Sequence, residues 1–295
     1  MTEPSPSSRT SLRAVSALAV LAIAWGAVPL LVRNDVPPAQ LVAMRVTLGG
    51  LFLVGVTLIR GQLRLPKTER WRLVTLGVLL AVHWVTFFAA IQLTTVATAL
   101  AVVYLGPVLA AVLSGPLLGE RVGWRAVGSL VLALGGTLLV IRPGAGATAA
   151  GIGVALFSAV LLAVLMILGK PVARALGGLA VAMWELVVAS VVLAPFTVQA
   201  VRTSSEFWLE FVILGVLLTG VAGVVYWSAM SRLPVAVTSV VMYLEPASAV
   251  VWAALVLDES TTALTWAGVA LVVAGGALAA LEAAEEGAIG APAVL

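Results

Sequence analysis

Apolar residues are concentrated in ten stretches of membrane-spanning or nearly membrane-spanning length, separated by polar residues and helix breakers such as Pro66, Pro143 and Pro171. A helix needs about 20 apolar residues to cross the hydrocarbon core of a bilayer. The pattern therefore predicts an all-α integral membrane protein with ten transmembrane helices: Leu12–Val32, Pro38–Ile59, Trp71–Leu93, Val96–Leu117, Trp124–Ile141, Gly151–Gly169, Leu179–Phe196, Trp208–Ala229, Val235–Leu257 and Leu264–Leu281.

The two ends of the chain differ from the apolar stretches. Residues 1–11 are a polar leader rich in Ser and Pro, and residues 282–295 are an acidic tail rich in Ala and Gly. Both are predicted to be disordered, because neither can bury enough apolar surface to fold. The first apolar stretch is too long for the core of a cleavable signal peptide, and nine more follow it.

Composition agrees with this interpretation and excludes several kinds of site. Hydrophobic residues make up 62% of the chain, charged residues make up 10%, and the mean hydropathy is +1.17. The net charge of +3 gives no indication of a nucleic-acid partner. No Cys and a single His leave no ligand set for a metal, and no phosphate-binding Gly-Lys-Ser/Thr loop is present. We therefore expect no cofactor and no metal.

The basic residues predict the orientation. If the N-terminus is cytoplasmic, twelve of the sixteen Lys and Arg lie on the inner side and only Arg33, Arg142 and Arg202 lie outside, with Arg45 inside a span. Cytoplasmic loops carry the excess of basic residues in membrane proteins. Both termini are therefore predicted to be cytoplasmic.

One motif occurs twice. Tyr104-Leu105-Gly106-Pro107 recurs as Tyr243-Leu244-Glu245-Pro246, and Glu120 recurs as Glu259 at the same offset of 139 residues. Fixed spacing of proline and glutamate in Ala/Leu/Val-rich helices favours duplication over chance. Two repeats, 12–141 and 151–281, each hold five spans. Because five is odd, the second repeat is predicted to be inverted, with the binding site near the middle of the membrane, as in many secondary transporters.

These residues carry a family resemblance. The chain resembles the ten-helix EamA-type transporters of the drug/metabolite transporter superfamily from about residue 14 to residue 281. The matching elements are Ala24-Trp25-Gly26, Arg45, the stretch from Ala97 to Pro107, Gly119-Glu120-Arg121, Leu233-Pro234 and the Tyr243–Pro246 motif. Asp258-Glu259-Ser260 departs from the family's Gly-Glu-Arg ending, which indicates a change at a helix end.

The resemblance implies a transporter of small metabolites with both ends in the cytoplasm. Members export amino acids or other small metabolites, and some import them. In its His83-Trp84 pair, the chain resembles amino-acid exporters of the family, including the YddG-like branch that exports aromatic amino acids.

Two acidic residues lie deep within predicted spans. Glu185 is predicted to lie close to the midplane of span seven, where an ionised carboxylate must be protonated, paired or hydrated. It could bind a substrate ammonium or carry a proton. In a structural role, it could pair with Arg45 or be a protonated acid that bonds a backbone carbonyl. Glu245 precedes Pro246, which frees a backbone carbonyl, so it could bind substrate or satisfy those freed groups.

Arg45 and His83 each have two interpretations. Arg45 could clamp a substrate carboxylate with two hydrogen bonds, or it could pair with Glu185 or extend to the interface. His83, the only histidine, could shuttle a proton, or it could be a hydrogen-bonded packing residue.

The remaining candidates are aromatic, proline, acidic and glycine residues. Trp25, Trp84, Tyr104 and Tyr243 lie too deep for the aromatic belt and are candidate lining residues of a binding site. Pro107 and Pro246 are predicted to kink gating helices. Glu120 and Glu259 are predicted to be capping or interfacial groups, and the Gly135-Gly136 and Gly275-Gly276 pairs are predicted to be close helix contacts.

The leading hypothesis is a secondary transporter in the inner (plasma) membrane of a bacterium that exports amino acids or related small metabolites by alternating access. Metabolite import and efflux of drugs or lipophilic cations are the alternatives. An integral-membrane enzyme would need clustered His, Asp and Glu, and a partner-binding protein would need a large exposed loop. The expected partners are a small-molecule substrate and the lipid bilayer, and the sequence is compatible with a monomer.

Overall fold

The computed structural model describes residues 6–31, 36–63, 66–142, 147–203, 207–258 and 261–289, and the regular structure in these ranges is helical. The helices are α1 Pro6–Trp25, α2 Val28–Leu31, α3 Pro38–Ile59, α4 Arg70–Leu93, α5 Val96–Val103, α6 Leu105–Leu118, α7 Trp124–Ile141, α8 Ala149–Leu176, α9 Gly178–Val192, α10 Ala194–Thr203, α11 Trp208–Val212, a π-helix Ile213–Val221, α12 Ala222–Met230, α13 Val235–Met242, α14 Leu244–Leu257 and α15 Ala263–Ile289. Glu259 and the chain beyond Ile289 lie outside the described residues.

Eight helical segments of the described chain are long and apolar enough to cross a membrane, against the ten predicted. They are Pro38–Ile59, Arg70–Leu93, Val96–Leu118, Trp124–Ile141, Ala149–Leu176, Trp208–Met230, Val235–Val256 and Ala263–Glu285. The bent pair of α9 and α10 would make a ninth, and the apolar part of α1, Thr10–Trp25, is shorter than these. The fold is therefore that of an all-helical membrane protein.

The outer surface of the helices is apolar. Val20, Val131 and Leu255 are 68%, 65% and 71% exposed, and many other large apolar side chains are exposed in the same way. A water-soluble monomer rarely exposes contiguous apolar surface on this scale. In a bilayer the same surface faces acyl chains, which agrees with the predicted membrane location.

The predicted seventh span is broken in the structure. The axes of α9 and α10 differ by 73° at Leu193. Pro195 in the first turn of α10 has no N–H to donate, so the hydrogen bond to the carbonyl four residues earlier is missing. The hydropathy pattern predicts one span, Leu179–Phe196, here, and the proline near the end of that span is the reason that the helix is broken.

Three other helices extend beyond their predicted limits. α1 begins at Pro6, within the leader that was expected to be disordered, because proline suits the first turn of a helix. α8 continues through Lys170 and Pro171 to Leu176, since a packed helix tolerates the single lost hydrogen bond. α15 continues to Ile289 through the helix-forming Ala and Glu residues of the tail.

Helices at equivalent places in the two halves run antiparallel against each other. Along α7 and α15, Arg125 contacts Glu285 at one end, Gly136 lies against Gly268, and Arg142 contacts Thr262 at the other end. The same holds for α3 and α9, where a Cβ on Gly50 would touch Ser190 and where the Thr57 hydroxyl contacts the Met183 sulfur at 3.1 Å. These pairs join the first half of the chain to the second.

Glycines allow the closest of these contacts. A Cβ on Gly136 would lie 2.6 Å from the carbonyl oxygen of Gly268, and one on Gly275 would lie 2.8 Å from that of Ser129. Gly135 and Gly276 have no neighbouring atom within 4 Å. One member of each predicted Gly-Gly pair is therefore confirmed as a close helix contact, and the other member is not.

Candidate functional site

Two helices break in the middle at repeat-related residues. α5 gives way to α6 at Tyr104 (φ −67°, ψ −4°), and α13 gives way to α14 at Tyr243 (φ −67°, ψ −11°). Pro107 and Pro246 each follow three residues later and cannot donate to the carbonyl four residues before them. The kinks that the prolines predict are therefore centred on the tyrosines.

The two breaks contact each other. The rings of Tyr104 and Tyr243 lie 5.5 Å apart, and the Tyr243 hydroxyl donates a 2.5 Å hydrogen bond to the Tyr104 carbonyl. Ser239 donates to the carbonyl of Pro107 at 2.8 Å. Ser239 on α13 and Tyr243 directly after it thus donate to backbone carbonyls at and next to the break between α5 and α6, which helps to satisfy backbone groups within a membrane.

Arg45 lies beside these breaks. It is only 6% exposed, its Nε donates to the Thr219 hydroxyl at 3.2 Å, and its guanidinium lies 4.6 Å from the centre of the Trp84 ring. Within the described ranges, its two terminal nitrogens donate no hydrogen bond to the protein. Arg45 is therefore held in place by one polar and one aromatic contact while most of its donors remain available.

Glu245 is the acidic residue in this group, and it interacts electrostatically with Arg45. Its half-buried carboxyl lies close to the Tyr104 hydroxyl and within electrostatic range of the Arg45 guanidinium. Among the described residues, the two charged groups do not form a direct ion pair. The site therefore presents a positive and a negative group that are close to each other but not in contact.

The π-helix also contributes to this site, because its Thr219 accepts the hydrogen bond from Arg45. In a π-helix the backbone hydrogen bonds run to the fifth residue, and this form is rare and frequently functional. The Trp25 indole N–H donates to the carbonyl of Leu218 at 2.9 Å, next to the Thr219 that holds Arg45. Gly26 allows α1 to approach closely, because a Cβ there would lie 2.7 Å from the carbonyl oxygen of Glu245.

Glu185 lies in a separate cluster. It is 4% exposed and seven residues from each end of α9. Its Oε2 accepts a 2.7 Å hydrogen bond from the Trp227 indole, whose ring packs against Tyr226 at 5.1 Å between centres. Glu185 therefore does not pair with Arg45, which was one of the two structural arrangements expected from the sequence.

His83 is fixed between α4 and α8. Its Nδ1 lies 3.0 Å from the carbonyl of Ser158 and 2.9 Å from the Ser158 hydroxyl, which in turn donates to the His83 carbonyl. Its ring stacks on Phe87 at 6.4 Å. These contacts favour the packing interpretation, in which the histidine joins two helices rather than facing Arg45 and Glu245.

An ion pair closes one end of the broken helices. Lys170 is fully buried and pairs with Glu120, and its ammonium also donates to the carbonyl of Leu233. The other oxygen of Glu120 accepts from the backbone N–H of Val235 at 2.8 Å. Pro234 precedes this first residue of α13 and offers no side-chain cap, so Glu120 from the other repeat provides the cap. We name these contacts the Glu120 latch.

The structure thus brings together five of the predicted site residues and separates the others. Arg45, Trp84, Tyr104, Tyr243 and Glu245 form one group, Trp25 adjoins it through the π-helix, and Glu185 and His83 lie in contacts of their own. Thr219, Ser158 and the burial of Lys170 were not predicted from the sequence. A lysine directly after a predicted span is the one signal that could have indicated the last of these.

The comparisons with known proteins agree with this architecture. The model of the EamA-like transporter family matches residues 12–142 and again residues 149–281. The uncharacterized transporter YxxF of Bacillus subtilis (strain 168) is 25% identical over 290 residues, which cover 94% of this chain and 92% of that protein.

A solved crystal structure has the same fold. It superposes with a TM-score of 0.78 over 92% of this chain and 99% of its own length, at 24% sequence identity. The family model covers nearly all of the chain, in two successive matches, and the resemblance seen in the sequence is confirmed at this level. The chain belongs to the EamA-like transporter family.

Proposed function

We propose that this protein is a secondary transporter that exports amino acids or related small zwitterionic metabolites across the inner membrane of a bacterium. The observation that carries the proposal is the pair of Arg45 and Glu245, which lie close together without direct contact at the breaks of α5/α6 and α13/α14. A zwitterion placed there would give its carboxylate to the guanidinium and its ammonium to the carboxylate.

The aromatic neighbours support the same substrate class. Trp84 stacks on the Arg45 guanidinium and Thr219 accepts from its Nε, so Arg45 is oriented before a ligand binds, and the Tyr104 hydroxyl lies close to Glu245. Groups held in place in this way lose little freedom on binding, which favours affinity. An arginine beside the acidic group disfavours a purely cationic drug as the cargo.

Antiparallel packing of equivalent helices supports two inverted five-span repeats. The end of α6 meets the start of α13 at Glu120 and Val235, while Tyr104 meets Tyr243 halfway along. A two-fold axis in the membrane plane relates two such halves and places the site at mid-depth. The ten-span arrangement 12–141 and 151–281, with residues 1–11 and 282–295 in the cytoplasm, is the topology that we propose.

The two repeats differ in burial, which supports alternating access. All eight residues of α13 are buried, but only Thr98, Ala99, Ala101 and Val103 are buried in the equivalent α5. The end of the site near Val235 is therefore packed shut by the Glu120 latch, and the end near Val96 is more open. With both termini in the cytoplasm, the closed end would be the cytoplasmic one.

Counterflow in proteoliposomes tests this function. Vesicles loaded with one unlabelled amino acid should take up the same labelled amino acid, and a panel of amino acids, carboxylates and lipophilic cations identifies the class. Glu245→Gln and Arg45→Gln should each reduce counterflow at least about tenfold, because each loses a charge-assisted contact of about 1.5–3 kcal/mol.

Glu210→Gln provides the matched control, because Glu210 lies on α11 outside the site. It should transport like the unmodified protein. Counterflow of lipophilic cations alone would replace the proposal with drug efflux, and undiminished amino-acid counterflow in Arg45→Gln and Glu245→Gln would contradict the assigned site.

A further inference from the structure

The Glu185 carboxyl is the buried acidic group that the proposed substrate site does not use. It is 4% exposed, and Trp227 occupies one of its oxygens. In the described part of the chain, the other oxygen, Oε1, has no hydrogen-bond partner. A half-satisfied carboxyl at the middle of a membrane helix calls for a physical explanation.

No basic side chain faces Glu185 from the helices packed against it. On α3, Arg45 is directed to Thr219 and Glu245, and on α8, Lys170 pairs with Glu120. On α4, His83 is held by Ser158, and the basic group of α10 is Arg202 at its far end. The π-helix contains no titratable residue, and Tyr226 on α12 is the titratable group that faces the carboxyl.

A charged carboxylate in this position would therefore be uncompensated. Leaving a buried charge without a partner is strongly destabilising in proteins. A neutral carboxylic acid avoids this cost, because its carbonyl oxygen accepts the Trp227 N–H and its hydroxyl needs no cation. The geometry is thus that of a carboxyl that holds a proton while Trp227 covers it.

Trp227 also connects Glu185 to the substrate site. Its ring contacts Tyr226, the Tyr226 ring lies 6.2 Å from that of Trp25, and Trp25 bonds the π-helix that carries Thr219. A shift of α12 that opens the substrate site would therefore also withdraw Trp227 from Glu185 and admit water to the carboxyl.

We propose that Glu185 is a proton-binding site, separate from the Arg45–Glu245 site, whose loading and release couple substrate movement to a proton gradient. The carboxyl takes its proton from water on one side of the membrane and returns it to water on the other side when α12 moves. This inference rests on the proposed transport function and names the proton as its coupling ion.

Glu185→Gln tests the coupling, because glutamine keeps the size of the side chain and cannot exchange a proton. With one proton per substrate molecule, a pH difference of one unit drives at most about tenfold accumulation in the unmodified protein. In Glu185→Gln this accumulation should fall to the ratio without a gradient, while substrate counterflow continues. Glu210→Gln should retain both activities.

Two results would contradict proton coupling through Glu185 and would leave the proposed transport function intact. Full gradient-driven accumulation in Glu185→Gln is one, and counterflow in the unmodified protein with no response to pH is the other. A complete lack of counterflow across the panel would remove the transport function and the coupling together.

Infrared spectroscopy provides a measurement that does not depend on transport. The carboxylic-acid C=O band of a protonated buried side chain should be present in the unmodified protein and in Glu210→Gln, and absent in Glu185→Gln. A spectrum that is the same in all three proteins would contradict a proton on Glu185.

Discussion

Single residues in this protein are held by contacts that helix periodicity does not show. The sequence places Glu185, Glu245 and Arg45 at membrane depth, because 1.5 Å of rise per residue fixes how far along a helix each one lies. It does not fix the rotation of each helix about its axis. For that reason it allows a pairing of Arg45 with Glu185, while the structure directs Arg45 to Glu245 and gives Glu185 to Trp227.

Gly169 determines the position of Trp227. A Cβ on Gly169 would lie 2.0 Å from the Trp227 ring, so Gly169→Ala must displace the indole that bonds Glu185. Overpacking of this kind typically destabilises by about 1–3 kcal/mol. We expect a lower thermal unfolding midpoint in detergent and weaker coupling of transport to the pH gradient.

Gly153→Ala on the same helix is the matched control, because no atom lies within 4 Å of its Cβ position. It should be as stable as the unmodified protein or slightly more stable, since alanine favours a helix over glycine by about 1 kcal/mol. Equal midpoints for the two variants would show that Trp227 is not held by Gly169.

At the scale of elements, the paired breaks could be predicted and the other irregularities could not. The recurrence of Tyr and Pro at one offset indicates that α5/α6 and α13/α14 bend at equivalent points, and the structure bends both there. The π-helix leaves no signature in Ile213–Val221, because its residues are ordinary apolar ones. Its effect is seen only in the structure, where the Leu218 carbonyl accepts from Trp25 and the Thr219 hydroxyl accepts from Arg45.

The ends of helices show why Asp258 replaces Gly119. Both residues follow the last residue of a broken span in the left-handed conformation, with φ of 51° and 70°. Glycine adopts this conformation without strain, and Asp and Asn tolerate it better than other residues. The departure from the family ending at this position therefore keeps the same helix termination.

The Glu120 latch makes a prediction about the stability of the closed end. Lys170→Met leaves Glu120 with only the more exposed Arg174, at 3.5 Å, to offset its charge. Removing one partner of a buried pair costs about 3–5 kcal/mol. We expect a clear loss of thermal stability in detergent and a shift of the protein towards opening at this end.

An exposed ion pair offers the comparison. The Arg125–Glu285 pair joins α7 to α15, and its side chains are 53% and 59% exposed. Arg125→Met should change stability by about 1 kcal/mol or less, because solvent screens such pairs. Similar losses in Lys170→Met and Arg125→Met would mean that the latch contributes no more than a surface contact.

For the whole molecule, the class of protein could be predicted from the sequence, but the arrangement of the candidate binding site could not. Hydropathy and the repeated motif predict a helical membrane transporter, and the family match along both halves confirms the family. The opposed charges of Arg45 and Glu245 come from different halves of the chain, two hundred residues apart. Their proximity depends on how the two bundles pack, which no local pattern reports.

The central claim is that Arg45 binds the carboxylate of the substrate and Glu245 binds its ammonium. The most direct test is calorimetric binding of the best substrate, its amine lacking the carboxylate and its acid lacking the ammonium. Each ligand is measured with the unmodified protein, Arg45→Gln and Glu245→Gln. Removing the carboxylate should weaken binding about 10–150-fold in the unmodified protein and little further in Arg45→Gln, with the same relation between the ammonium and Glu245→Gln. If removing the carboxylate weakens binding to Arg45→Gln as much as to the unmodified protein, the assignment of this site is wrong.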